Sequence, residues 1–196
     1  MPQIRVALCG QPNTGKTTIF NQLVKTYRKV GNYPGVTIEK FAGRTSFEGV
    51  ALEFVDLPGL YSLTPYSAEE KLACRYLTAG EFDVIVAILD GTALERGLVF
   101  VAQLMELNRP LIIVINMMDL VRKKGFWIDL SWLSDILAAP VMALIGNRAL
   151  GVRQLLKKIV ALKPAKPSLG IKLPLHPFIE EKVSLIEKEL AQKEQR

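Results

Sequence analysis

The segment GQPNTGKT at 10–17 constrains this chain more than any other, because it stands between an apolar run and a stretch with helical spacing. A glycine, four variable residues and then Gly-Lys-Thr is the pattern of loops whose backbone N–H groups cradle phosphates at a helix start. The run IRVALC before it reads as a strand buried in a parallel sheet, and Ile19, Phe20 and Leu23 after it recur at helical spacing over 16–25. A glycine loop joining strand to helix commits the chain to an α/β fold with an anionic ligand at the strand end. With glycine near 7% of average usage, a chance match in a chain this long has odds on the order of 1%.

The same alternation continues downstream. Strands are expected at 41–47 and 50–55, joined at Glu48 and Gly49, then a helix over 67–77 opened by Ser67 with Glu69 and Glu70 in its first turn. Further strands at 84–89, 111–115 and 141–144 alternate with helices around 93–107, 130–137 and 152–162. This order predicts a doubly wound, mostly parallel sheet whose ligand lies at the carboxyl ends of the strands. Residues 1–163 are expected to form that domain, and the proline-rich stretch 164–176 reads as a linker. Beyond it, Ile179, Val183, Ile186 and Leu190 keep helical spacing, so 177–196 reads as the start of a small helical domain.

Composition narrows the class. At 196 residues, 49% hydrophobic and 22% charged, the chain can bury one sizeable core and is not composed like a disordered one. Its net charge of +6 is scattered apart from short clusters at 25–29 and 122–124, which reads as solvated surface rather than a nucleic-acid footprint. Cys9 and Cys74 have no metal-ligand spacing and read as structural thiols in a reducing compartment. The apolar stretch 111–118 is far shorter than the roughly 18–20 residues of a membrane span. The N-terminus runs too soon into the phosphate loop for a signal peptide, so this segment is expected to be soluble and cytoplasmic.

The motifs then specify the chemistry. Gly10 and Gly15 let the backbone wrap phosphates, Lys16 supplies a cation to the outer ones, and the Thr17 hydroxyl suits Mg²⁺. Asp56 ends an apolar strand and opens DLPG, where it can hold Mg²⁺ directly or through water while the Gly59 N–H donates to the γ-phosphate. Thr37, in NYPGVTIEK, is the candidate second hydroxyl on Mg²⁺. NMMD at 116–119 selects the base: Asp119 can accept from the N1–H and 2-amino group of guanine, and adenine offers no such pair. Thr14, Thr18 and Met117 fall within these segments and are counted, with Asn13 and Asn116, among the nucleotide-contacting residues.

With GQPNTGKTTIFNQL, VGNYPGVTIEK, DLPGLYSLTPYSAEE and INMMDL in hand, the chain resembles the N-terminal G domain of the bacterial ferrous iron transport protein B (FeoB) family over about 3–162. Related translation and tRNA-modification GTPases usually carry Thr-Thr-Arg-Asp where this chain has Val36, Thr37, Ile38 and Glu39. The resemblance implies a Ras-like P-loop GTPase that hydrolyses GTP slowly, with Mg²⁺ as cofactor and K⁺ as activator. In the family Asn13 would help hold the K⁺ where an arginine finger otherwise sits; read by itself, Asn13 is equally a turn residue after Pro12. The resemblance further implies a helical coupling domain, a C-terminal transmembrane iron-permease portion on the cytoplasmic face of the inner membrane, and small cytoplasmic Feo proteins as candidate partners. His176 lies between prolines in the linker and reads as incidental.

Two positions depart from the expected pattern. Ile145, Gly146 and Asn147 stand where Ser-Ala is usual near the guanine, leaving a backbone N–H of Gly146 or its neighbour to reach O6 and predicting a loop over 143–151 that is poorly ordered or displaced. Gln11 replaces a common Asn. Ras-like enzymes orient the attacking water with a Gln where this chain has Leu60, which cannot polarise water. Two other readings stay open: a soluble ribosome- or RNA-associated GTPase, and a nucleotide-gated interaction module that scarcely turns GTP over.

Overall fold

The computed structural model of the chain describes residues 3–24, 26–32 and 39–162. Thr37 and the expected linker and helix beyond residue 163 lie outside the described residues.

Strands β1 (Gln3–Gly10), β2 (Thr26–Asn32), β3 (Glu39–Phe47), β4 (Val50–Asp56), β5 (Val84–Asp90), β6 (Leu111–Asn116) and β7 (Val141–Ala143) form a seven-stranded sheet in the order β2-β3-β4-β1-β5-β6-β7. β1, β4, β5, β6 and β7 run parallel, while β2 and β3 add an antiparallel edge. Helices α1 (Lys16–Leu23), α2 (Ala68–Ala79), α3 (Leu94–Glu106), α4 (Met118–Lys123), α5 (Leu130–Leu137) and α6 (Val152–Ala161) connect them. β5 and β6 are apolar almost throughout because helices cover both their faces. One core contains Phe100, Val101 and Leu104 of α3 with Ala73 and Leu77 of α2, a second contains Ile19 and Phe20 of α1 with Leu155 and Ile159 of α6, and a smaller third gathers Ile115, Met118, Val121 and Leu133.

Strand and helix order follow the expectation, with two additions. α1 stops at Leu23 rather than running to 25, because Val24 turns extended against Gly43, where an added Cβ would lie 2.5 Å from the Val24 Cγ1. β2 then occupies TYRKVGN, a charged edge strand with no apolar alternation to announce it. The short α4 was likewise unmarked, being only 6 residues between a motif and a loop. Ser67 caps α2 as predicted, accepting from the Glu70 N–H while the Glu70 side chain accepts from the Ser67 N–H. The Tyr66 N–H and then the Ser67 N–H, both donating to the Glu70 carboxylate, hold it below its usual range.

Candidate nucleotide site

Among the described residues, the segments 10–17, DLPG, NMMD and the loop at Gly146 each emerge from the carboxyl end of a parallel strand. β1 ends at Gly10, whose register partner on β5 is Ile88; a Cβ on Gly10 would stand 2.4 Å from the Ile88 carbonyl oxygen, so only glycine lets the loop leave the sheet there. Asn13 (φ 65°) and Gly15 (φ 80°) then take left-handed conformations that curl the chain into α1. Gln11, Pro12, Asn13, Gly15, Lys16, Thr17, Thr18 and Gly59 line a cavity of about 350 Å³ over this loop. DLPG arrives from β4, and the Leu60 N–H donates to the Gly10 carbonyl at 3.2 Å, with Gly59 laid against the Pro12 ring.

The charged groups of this cavity are already engaged with each other. Lys16 Nζ, nine-tenths buried, pairs with Asp56 Oδ1, and the Thr17 hydroxyl lies 3.3 Å from Asp56 Oδ2. A hydroxyl and a carboxylate form a hard oxygen donor set that suits Mg²⁺. Among the described residues no group of three or more His, Cys, Asp or Glu is gathered. Cys9, just beneath the loop, is fully buried, and that burial pushes its thiol up to about 12 against the opposing pull of the Lys16 charge. It is a structural thiol, as expected.

A second cavity, of about 180 Å³, is lined by Gly15, Thr18, Asn116, Met117, Asp119, Leu120, Gly146 and Asn147. Asp119 sits in the first turn of α4, which the left-handed Met117 (φ 60°) starts directly after β6. Gly15 and Thr18 border both cavities, so the two lie side by side.

Asn116 plays a role that its motif did not disclose. Its Nδ2 donates to the Thr14 carbonyl at 2.9 Å and its Oδ1 accepts from the Gly146 N–H at 2.9 Å, both within buried surroundings. One side chain thus ties the phosphate loop to the loop after β7. That second loop is neither loose nor displaced, which corrects the expectation for 143–151. A 3-10 turn at Gly146–Arg148 is closed by paired backbone hydrogen bonds between Ile145 and Leu150. Gly146 is there for close approach rather than freedom: an added Cβ would stand 2.9 Å from Ile19 Cγ1 and 3.3 Å from Asn116 Oδ1.

Leu60 is wholly buried in the core with Val55, Leu57 and Phe100, so its side chain faces away from water as well as being unable to polarise it. Leu120 and Pro12 border the cavities without having been named as contacts; being neither charged nor part of a fixed spacing, they carried no signal.

The doubly wound sheet, with a glycine loop between β1 and α1 and a carboxylate beside that loop's lysine and hydroxyl, has the P-loop GTPase fold of the Ras-like class. The sequence profile described as Ferrous iron transport protein B matches residues 4–159, and the chain belongs to that family. It is 42% identical over 166 residues to the Fe(2+) transporter FeoB of Campylobacter jejuni, covering 85% of this chain and 27% of that protein. With the Fe(2+) transporter FeoB of Escherichia coli strain K12 the identity is 40%, over 79% of this chain and 21% of the relative. The chain therefore spans about a quarter of the length of these curated relatives. The cytosolic domain of L. pneumophila FeoB superposes with a TM-score of 0.87 at 33% identity, covering 96% of this chain and 80% of that one. An S. thermophilus NFeoB mutant bound to GDP gives 0.87 at 36%, covering 96% and 72%.

Proposed function

We propose that the chain is the GTP-binding and GTP-hydrolysing regulatory domain of a membrane ferrous iron transporter. The observation that carries this reading is the pair of adjoining cavities, one walled by the phosphate loop and the other by Asp119, sharing Gly15 and Thr18. Triphosphate enters the first and guanine the second, where the Asp119 carboxylate accepts from N1–H and the 2-amino group. Phosphate oxygens draw Lys16 away from Asp56, freeing that carboxylate, with the Thr17 hydroxyl and Thr37, for Mg²⁺. When bound, Mg²⁺ neutralises charge that builds on the phosphate oxygens during transfer.

Water attacks the γ-phosphorus, the bond to the bridging oxygen breaks, and GDP and phosphate leave. With Leu60 in the core, backbone groups near Thr37 and Gly59, or a residue brought by a partner, must orient that water, so intrinsic turnover is slow. Asn13 lies on the wall of the phosphate cavity, and its side-chain oxygen suits a K⁺ that replaces a missing arginine finger. On this reading a helical coupling domain passes the nucleotide state to a transmembrane iron-permease portion at the cytoplasmic face of the inner membrane. Small cytoplasmic Feo proteins are candidate partners, and the family match does not favour an RNA-associated role.

Binding and turnover of GTP and ATP, each measured in K⁺ and in Na⁺, test the proposal. GTP is expected to bind and turn over far better than ATP. Asp119→Asn is expected to lose roughly 2–4 kcal/mol of GTP binding, and Asn13→Ala to abolish any K⁺ acceleration. Equal affinity for ATP and GTP overturns the guanine assignment, and an absent K⁺ effect in the wild type returns Asn13 to the role of a turn residue.

A further inference from the structure

The nucleotide site leaves one surface unexplained. Phe126 (65% exposed), Trp127 (81%), Trp132 (59%) and Ile136 (48%) stand out in solvent within the loop after α4 and along α5. Trp132 and Ile136 are four residues apart on one helix and share a face. Large apolar side chains exposed this densely within one short stretch of chain ordinarily mark a contact.

The backbone beneath them is held. The Phe126 N–H donates to the Val121 carbonyl at 3.1 Å, and Ile128, Leu130 and Leu133 pack with Ile115, Met118 and Val121. Asp129 caps α5 through the Trp132 N–H, and that bond, with the Ser131 hydroxyl, holds its carboxyl below the ordinary range. The aromatic side chains are therefore presented by a pinned loop and helix rather than left over from a frayed end.

Immediately before them, Arg122, Lys123 and Lys124 are all exposed, and their side chains make no ion pair among the described residues. Asp119 lines the base cavity, Asp129 is spent on the cap, and Asp135 is the acidic group that α5 leaves exposed beside them. Cations flanking exposed tryptophan and phenylalanine are the composition of segments that rest in the headgroup layer of an anionic bilayer, rings at the interface and ammonium groups on phosphates.

We propose that the basic run 122–124 and the aromatic stretch from Phe126 to Ile136 form a membrane-surface contact that holds this domain against anionic lipid headgroups. The patch lies between β6 and β7, at the sheet edge opposite β2. The proposal rests on the transporter reading only for the presence of a bilayer nearby, and nucleotide binding in the same samples separates failure of one from failure of the other.

Both tryptophans of the chain lie in this patch, so intrinsic emission reports on it alone. The GDP-loaded chain is mixed with vesicles of phosphatidylcholine and phosphatidylglycerol in equal amounts, or of phosphatidylcholine alone, and followed by co-sedimentation and tryptophan emission at low and high salt. Binding to the anionic vesicles, with a blue shift that salt weakens, is expected. Trp127→Ala with Trp132→Ala, and separately Lys123→Glu with Lys124→Glu, should each weaken partition about tenfold or more while GDP still binds. Absence of binding overturns the proposal. So does binding without an emission change, or binding that the variants retain, because another surface is then responsible. Equal binding to both vesicle types overturns the electrostatic half, and self-association without lipid that Trp127→Ala abolishes makes the patch an interface between copies.

Discussion

The two halves of the proposed nucleotide site, one for phosphates and one for the base, are built by different means. Around the phosphates, contiguous backbone does the work: Gly10 passes the Ile88 carbonyl, Gly15 turns left-handed, and Lys16 and Thr17 follow at once. Around the base, Asp119 and Gly146 are brought to Gly15 and Thr18 from β6 and β7, and one side chain, Asn116, bridges them. The backbone curl of a contiguous loop is set by its own residues, whatever lies elsewhere in the chain. A site assembled from distant segments depends on the bridging residue.

The largest effect should come where DLPG meets the core. Leu60→Ala removes a fully buried side chain and is expected to cost about 3 kcal/mol of folding stability, read by urea unfolding. Hydrolysis per folded molecule should stay within about tenfold, since the side chain touches no reacting atom. A turnover loss without a stability loss would break the assignment of Leu60 to the core.

Asn116→Ala sharpens the comparison most directly. It leaves the Gly146 N–H and the Thr14 carbonyl without partners, at about 2–3 kcal/mol in the nucleotide-free protein. Both halves should suffer, so affinity for GDP and for a phosphate probe such as pyrophosphate should fall together. Loss of guanine binding with pyrophosphate untouched would show the halves to be independent.

Lys16→Ala acts on the phosphate half alone. Besides removing most hydrolysis, it strands the buried Asp56 carboxylate and should destabilise the nucleotide-free chain by about 1–3 kcal/mol. The double change with Asp56→Ala should recover much of that stability and none of the activity. No stability change in the single variant would mean that Lys16 and Asp56 do not pair in solution.

Gly146→Ala is the smallest effect. Its Cβ would crowd Ile19 and Asn116, so the base loop should be pushed outward and GDP should leave about several-fold faster, measured by stopped-flow with a fluorescent GDP analogue. This reverses what a glycine chosen for flexibility would give, and slower release would restore that view.

The alternation of apolar runs with helical spacing, read along the chain, was enough to predict a doubly wound sheet and to put GQPNTGKT, DLPG and NMMD at strand ends, because both signals are local and periodic. GQPNTGKT, DLPG and NMMD were legible for the same reason: each is a short contiguous segment whose residue types and spacing can be read without the fold. Other features had no local signature. The edge strand Thr26–Asn32 is charged and is held by its neighbour rather than by its own pattern. That Lys16 rests on Asp56, that Leu60 belongs to the core, and that Asn116 spans two loops are contacts between residues far apart in the chain. Spacing along a sequence records which groups are present; only the tertiary structure decided which of them meet, because burial and hydrogen-bond partnership are set by what packs against each residue from elsewhere in the fold.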